Sequence, residues 1–227
     1  EVTTYDTEVT LGSGGESYVL EAGPYIRFGG AGVLKLSVAG VDLFEINGKF
    51  TQTITPTGLS LSVNGYIDLG PIGSRSVSGS IVIDEDVGAY GTLELGQGTD
   101  DAAEGIGLKF SAIFTLEFNL TASEQTVSRQ KLDSDGNVVS GETVDITMDA
   151  TSVRVFAAGN LELFELITLR GGFELTASAS GLEMEADAYT DIFGVTFAVS
   201  GGAAIYSGQN GGIAASLNLS VGGGTMN

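Results

Sequence analysis

The residues best suited to bind a metal ion are the oxygen-bearing side chains of the segment LDSDGNVVSGE (132–142). Asp133, Asp135 and Asn137 alternate like the first ligands of a calcium loop, and Glu142 follows as a more distant carboxylate. The segment lacks the glycine that a helix–loop–helix site requires at its sixth position, and no helical pattern flanks it. The alternative is a hairpin tip with an Asp-Gly turn, which we favour. Ca²⁺ is nevertheless the one candidate cofactor.

A second acidic group lies in EMEADAY (183–189). Glu183, Glu185 and Asp187 occupy every second position, with apolar residues between them. Such alternation places the acids on one face of a β-strand and the apolar residues on the other. The aligned stretch in the first half of the chain (60–64) has serine and asparagine instead of the acids, but keeps the apolar positions. We therefore interpret the acids as a solvent-facing strand surface rather than a site.

Two Asn-X-Ser/Thr sequons, at Asn119 and Asn218, are candidate N-glycosylation sites. They lie in similar local sequences, EFNLT and SLNLS. An asparagine on the solvent-facing side of a strand would carry a glycan if a secretory glycosylation system acts on the chain.

The composition excludes several kinds of catalytic chemistry. The chain of 227 residues contains no histidine and no cysteine, so Ser-His-Asp and Cys-His arrangements and thiolate zinc sites cannot form within it. A glycosidase needs only two carboxylates, but nothing singles out a pair among 29 acids, and there is no tryptophan to form a sugar platform. We therefore predict that the protein is not an enzyme.

The charge and hydropathy of the chain limit its partners. With 29 acids against nine bases the net charge is −20, which disfavours binding to nucleic acids and to anionic membrane surfaces. No run of about 18 apolar residues is present, so no membrane-spanning helix is expected. Divalent cations and basic partners remain compatible with this charge.

The fold class follows from strand patterns and turns. Segments such as GVLKLSV (32–38), GTLELG (91–96) and GFELTAS (172–178) alternate apolar and polar residues, and helical spacing is scarce. Turn sequences such as DSDGN and SGQNGG separate these runs. The sequence therefore predicts an antiparallel all-β protein.

The chain also contains an internal repeat. The segment FTQTITPTGLSLSVNGYIDL (50–69) aligns without a gap with FELTASASGLEMEADAYTDI (173–192). Flanking segments align in the same order: 26–36 with 153–163, and 77–83 with 199–205. We infer two diverged copies of a unit of roughly 120 residues. The fold expected from them is two tandem antiparallel β-sandwiches, immunoglobulin-like or related, over residues 1–125 and 126–227.

The chain has acidic, glycine-rich and cysteine-free strands with alternating polarity, and the segment FTLEFNLTASEQTV (114–127) closes its first unit. In these features it resembles very large secreted bacterial surface proteins. Those proteins are tandem arrays of diverged β repeats and include adhesins. The resemblance implies an extracellular or cell-surface location and a non-catalytic role that bears load or sets spacing.

Three functions are considered on this basis. The first is a structural segment of a cell-surface fibre, stalk or adhesin shaft, associating with itself head-to-tail or with neighbouring repeats. The second is an adhesin module that binds a glycan or a protein with the help of calcium. The third is an outer-membrane β-barrel, which alternating strands would also suit.

One alignment also predicts how copies could assemble. If GAYGTLEL (88–95) matches GIAASLNL (212–219), only the first unit continues into a further strand (107–120), and the second unit has an open sheet edge. The N-terminal segment EVTTYDTEVTLG (1–12) of another molecule could then add to that edge and propagate a fibre. The competing alignment matches SLNLS to EFNLT, makes the second unit complete, and requires no donated strand.

Overall fold

The computed structural model describes residues 7–11, 16–20, 26–38, 40–55, 58–69, 73–84, 88–98, 107–178, 181–206 and 212–221. These residues form β-strands joined by short turns, which confirms the predicted antiparallel all-β class. The strands are β1 (Thr7–Leu11), β2 (Glu16–Leu20), β3 (Ile26–Val38), β4 (Val41–Thr55), β5 (Gly58–Asp68), β6 (Ser74–Asp84), β7 (Gly88–Gly98), β8 (Leu108–Asn119), β9 (Gln125–Leu132), β10 (Val138–Met148), β11 (Ser152–Leu163), β12 (Ile167–Ser178), β13 (Gly181–Ile192), β14 (Val195–Tyr206) and β15 (Gly212–Val221).

Eleven of these strands form one antiparallel sheet in the order β15-β14-β13-β12-β11-β8-β7-β6-β5-β4-β3. Consecutive strands are neighbours throughout, except where β9 and β10 leave the sheet between β8 and β11. These two strands pair only with each other, and β1 and β2 form another two-stranded hairpin. The two edge strands of this sheet are β3 and β15.

The repeat inferred from the sequence appears in the strand pairing. Phe50 of β4 pairs with Val63 of β5, and at the aligned positions Phe173 of β12 pairs with Ala186 of β13. The pairing register is also the same in the two repeats for three other sets of aligned strands: β3 and β11, β6 and β14, and β7 and β15. Strands β3–β7 and β11–β15 are therefore two equivalent five-stranded sets.

A pair of equivalent glycines shows the same correspondence in three dimensions. A Cβ atom on Gly48 of β4 would collide with the carbonyl oxygen of Asn64, and one on Gly171 of β12 would collide with that of Asp187. The backbones of neighbouring strands approach closely at the same point of each repeat, and only glycine permits this approach.

Strand β8 joins the two repeats into one sheet. Leu116 of β8 pairs with Leu93 of β7 on one side and with Val155 of β11 on the other. The expected division into two sandwiches is not confirmed, because β8 is hydrogen-bonded to both repeats and they share one sheet. The expected boundary at residues 125 and 126 falls at the start of β9, outside this sheet.

One face of the sheet, here called the inner face, contains a single cluster of buried side chains from both repeats. The cluster runs from Leu36 in β3 to Ile205 in β14, and β8 contributes Phe114, Leu116 and Phe118 to its centre. Within the sheet, β3 approaches β11 and β4 approaches β12, so the two halves are close in space as well as continuous in hydrogen bonding. The opposite face is called the outer face.

The hairpin of β9 and β10 lies against the outer face of β8, β11 and β12. Val127 and Met148 of the hairpin are buried, as is Phe156 on the outer side of β11. At the tip, the backbone of Gly136 lies so close to the carbonyl of Arg170 that a Cβ atom would not fit. The hairpin thus covers part of the sheet face that would otherwise face solvent.

Candidate functional site

The acidic residues of β13 face solvent, as the sequence predicted. Glu183, Glu185 and Asp187 are exposed on the outer face. The residues between and beside them point into the core, where Leu182, Met184, Ala186 and Ala188 are all buried. Across the described part of the chain, no group of three or more His, Cys, Asp or Glu side chains is placed to hold a metal ion.

The proposed calcium loop is a turn at the tip of the β9–β10 hairpin. Asp133 Oδ1 accepts hydrogen bonds from the backbone N–H groups of Asp135 (2.9 Å) and Asn137 (2.8 Å). The side-chain amide of Asn137 donates to both Asp133 carboxylate oxygens, at 3.3 and 3.1 Å. The hydrogen bonds from Asn137 are the main reason why the pKa of Asp133 lies below its usual value. The carboxylate of Asp133 therefore serves as the organising group of the turn.

The fourth proposed ligand is used elsewhere. The Glu142 carboxylate accepts from the Lys131 ammonium group at 2.6 Å. The structure therefore brings Asp133, Asp135 and Asn137 together in one turn, but it does not assemble Glu142 with them as a group of metal-binding acids. Calcium binding by the turn stays a prediction.

One buried group of ion pairs was not suggested by the sequence. Four residues form a charged cluster between the hairpin and the outer face of the sheet: Glu117 of β8, Arg129 of β9, Arg154 of β11 and Glu174 of β12. Arg129 donates to both Glu117 oxygens, through Nε at 2.9 Å and Nη2 at 2.7 Å. Arg154 Nε donates to Glu117 Oε2 at 2.8 Å. Each arginine also donates to one oxygen of Glu174, at 2.9 and 3.0 Å.

Burial makes this charged cluster a strong interaction. The Glu117 side chain is fully buried, and the guanidinium carbon of Arg129 lies 3.8 Å from the centre of the Phe156 ring. Burial alone would lower the pKa of Arg129, but hydrogen bonds and charge attraction from Glu117 and then Glu174 outweigh it and raise that pKa. Because every carboxylate oxygen in the cluster accepts at least one of these bonds, the cluster fixes the hairpin to the sheet.

The two sequons lie in different environments. Asn119 is fully buried, and its Nδ2 donates to the carbonyls of Ser123 (2.8 Å), Asp149 (2.9 Å) and Met148 (3.2 Å). The Asn119 amide thus binds the segment that leads into β9 and the segment that leaves β10. A glycan on Nδ2 would require these hydrogen bonds to break. Asn218, by contrast, is exposed in β15.

Large apolar side chains are exposed on the turns at one end of the second repeat. Leu166 is 83% exposed and Phe193 is fully exposed, and the two contribute to the same shallow depression. Phe193 has a positive φ of 51°, and Gly194 follows it with 81°. A two-residue turn of this kind favours Asn-Gly, because few side chains adopt positive φ easily. Nothing in the described residues covers this end.

The two edge strands of the sheet differ in the features that prevent association with another strand. Strand β3 carries Arg27 and Lys35, has a register irregularity after Leu36, and places Lys35 in ion pairs with acids of β4. Charges and irregular pairing are devices that prevent edge-to-edge association. Strand β15 has regular pairing with β14 and no charged residue. In the part of the chain that the structure describes, no strand pairs with the far side of either one.

Comparison with protein-family models, with curated proteins and with solved structures finds no match to the chain. The described residues include no helix long and apolar enough to cross a membrane.

Proposed function

We propose that the protein is a non-enzymatic structural module, a segment or subunit of an extracellular fibre, stalk or adhesin shaft. The observation that supports this proposal is the fusion of two register-matched repeats into one sheet through β8. In such a sheet the repeats are joined by backbone pairing, over six residue pairs between β7 and β8 and twelve between β8 and β11. Solenoid-like arrays use the same principle, in which stability comes from contacts between neighbouring repeats.

The order of the strands suits a serial arrangement. The chain enters the sheet through β3 and leaves it through β15, and these are its two edge strands. The hairpin of β9 and β10 crosses from β8 to β12 on the outer face and is fixed there by the charged cluster. It adds a tertiary connection across the junction between the repeats, which is where a load-bearing module needs reinforcement.

The composition supports an extracellular structural role as well. The absence of histidine and cysteine removes the commonest catalytic groups, and a charge of −20 keeps an extended assembly soluble. The described acids face solvent or pair with bases, and no three of them are placed to hold a metal ion.

The N-terminal segment 1–12, which we expected to add to the sheet edge of another molecule, is partly paired within its own chain. Within that segment, Thr7–Leu11 pairs with Glu16–Leu20 to form a hairpin, and the rest lies outside the described residues. This hairpin precedes β3 as the β9–β10 hairpin precedes β11. Donation of a single extended segment would first have to break the β1–β2 pairing.

The location and assembly can be tested on cells that produce the protein. We expect an antibody against the folded protein to label intact cells, and immunogold electron microscopy to show the label on extended surface material. Protease treatment of intact cells should remove the signal while an intracellular marker protein survives as the control. Labelling that requires permeabilised cells would contradict the proposal.

A further inference from the structure

Strands β7 and β15 occupy equivalent positions in the two repeats but have different neighbours. On its far side β7 pairs with β8, from Tyr90 with Asn119 to Leu95 with Phe114. No strand takes the place of β8 beside β15 in the described residues. The first repeat therefore provides a template for a strand beside β15, where the described residues place none.

The leucines of the two strands show the consequence. In β7, Leu93 is fully buried and Leu95 is 3% exposed, because β8 places Leu116 and Phe114 opposite them. The aligned residue of Leu93 is Leu217, which is only partly buried, and the aligned residue of Leu95 is Leu219, which is 50% exposed. The same inward-facing positions thus remain partly in solvent where the neighbouring strand is missing.

The charge distribution favours approach at this edge. The last charged residue in the sequence is Asp191, and residues 192–227 contain none, although the chain carries 29 acids and nine bases. Both faces of β14 and β15 are therefore free of charge, while the β3 edge carries Arg27 and Lys35. An acidic chain of the same kind can approach β15 without placing two like charges in contact.

We propose that the far edge of β15 is a binding site for an added β-strand of the β8 type, supplied by a further repeat rather than by the β8 of a folded copy, which is already paired on both sides. The added strand lies antiparallel to β15 and repeats the register of β8 on β7. It places two large apolar side chains, two positions apart, opposite Leu217 and Leu219, as Leu116 and Phe114 lie opposite Leu93 and Leu95. Its backbone pairs with the free edge of β15, which gives affinity, and the two apolar positions give specificity. This inference rests on the proposed structural function and names the surface through which repeats are added.

The site can be tested with a peptide that copies β8. Labelled synthetic peptide 108–119 is titrated into the whole protein, beside a scrambled peptide and a peptide of residues 1–12. Fluorescence anisotropy measures the affinity, and amide hydrogen exchange locates the peptide. We expect peptide 108–119 to bind one-to-one and to slow exchange in β15, and we expect the other two peptides not to do so.

Variants at the two sheet edges provide the matched comparison. Leu219→Lys should weaken binding by about tenfold or more, because it removes one buried leucine from the interface and adds a charge there. Ile26→Lys on β3, a residue that is 57% exposed, should leave the affinity unchanged. If Leu219→Lys lowers the melting temperature of the free protein, Leu219→Ser provides the milder change and should weaken binding several-fold.

Several results would overturn the assignment. The first is that peptide 108–119 leaves hydrogen exchange in β15 unchanged, and the second is that peptide 1–12 or the scrambled peptide binds as tightly as peptide 108–119. The third is that Ile26→Lys weakens binding as much as Leu219→Lys. The fourth is that the protein dimerises through β15 and the dimer excludes the peptide. A failure in these measurements leaves the cell-surface labelling unaffected, so the edge site and the structural function are tested separately.

Discussion

Replacing Glu117 by glutamine removes the negative charge at the centre of the charged cluster and keeps the shape of the side chain. The carboxylate accepts three hydrogen bonds, two from Arg129 at 2.9 and 2.7 Å and one from Arg154 at 2.8 Å. A glutamine amide has one accepting oxygen, and its NH₂ group must then face at least one guanidinium N–H. The variant therefore loses one or two charged hydrogen bonds and leaves Glu174 as the one acid of the cluster.

The magnitude follows from the burial of the four side chains. Breaking a fully buried ion pair by removing one partner costs about 3–5 kcal/mol. Glu117 is fully buried, but the side chains of Arg129 and Arg154 are 13% and 23% exposed, so water stabilises part of the remaining positive charge. We therefore expect a loss of about 3 kcal/mol in the free energy of unfolding, at the lower end of that range.

Urea unfolding, followed by circular dichroism, measures this loss. With a slope of about 3 kcal/mol per molar urea, the midpoint should fall by about 1 M. Glu185→Gln is the control, because Glu185 pairs with Glu174 in the sheet, is exposed, and should change stability by less than about 0.5 kcal/mol. A midpoint for Glu117→Gln equal to that of the control would refute the conclusion that the charged cluster fixes the hairpin to the sheet.

Four further predictions concern strand faces and turns of the fold. Leu182→Asp should cost about 4 kcal/mol by placing an unpaired charge in the core, whereas Glu183→Ser should be nearly silent in the same melts; the reverse order would mean that the faces are assigned incorrectly. Phe193→Asn should raise stability by about 0.5–1 kcal/mol, because the residue is fully exposed at positive φ; a lower melting temperature would show that Phe193 makes a stabilising contact. Asp133 should titrate below the usual pKa of about 3.9 in an NMR titration. Asn137→Ala keeps the backbone N–H bond, which is the larger cause, and removes the side-chain bonds, so the pKa should return only part of the way. Because folding lowers the pKa of Asp133, its hydrogen bonds stabilise the turn fully above the usual Asp pKa. This stabilisation is lost as the pH falls through the pKa of Asp133 in the folded protein. An unchanged pKa in Asn137→Ala would contradict the role of the Asn137 side chain. If Ca²⁺ raises the melting temperature and the rise survives in Asp133→Ala, this turn is not the calcium site.

The sequence predicted most about the strands of the two repeats. Alternation placed Leu182 in the core and Glu183 in solvent, because side chains on a strand point to opposite faces in turn. The gapless alignment of 50–69 with 173–192 also predicted a shared strand register, which the pairing of β4 with β5 and of β12 with β13 confirms. Of the two alignments at the end of the chain, the pairing of β14 with β15 supports the one that matches 88–95 to 212–219.

The junction and the charged cluster could not be predicted from local pattern. Arg129 is 12 positions from Glu117 and 45 positions from Glu174, and 29 acids offer many partners to any arginine. Their pairing depends on how the β9–β10 hairpin lies over the sheet, which is a tertiary property. Asn119 was interpreted as a surface residue for the same reason, since the carbonyls of Met148 and Asp149 that accept from its amide lie 29 and 30 positions away in the sequence, where β10 ends.

The central claim is that β8 joins the two repeats into one continuous sheet, and amide hydrogen exchange of β8 tests it most directly. Residues 114–119 have a paired strand on both sides, so successive amides along this stretch should all exchange slowly. A stretch at the edge of a separate first unit would have slow exchange only at every second amide, where the N–H points towards β7. Uniform slow exchange from Phe114 to Asn119 is the result that we predict, and alternation between slow and fast exchange would contradict it.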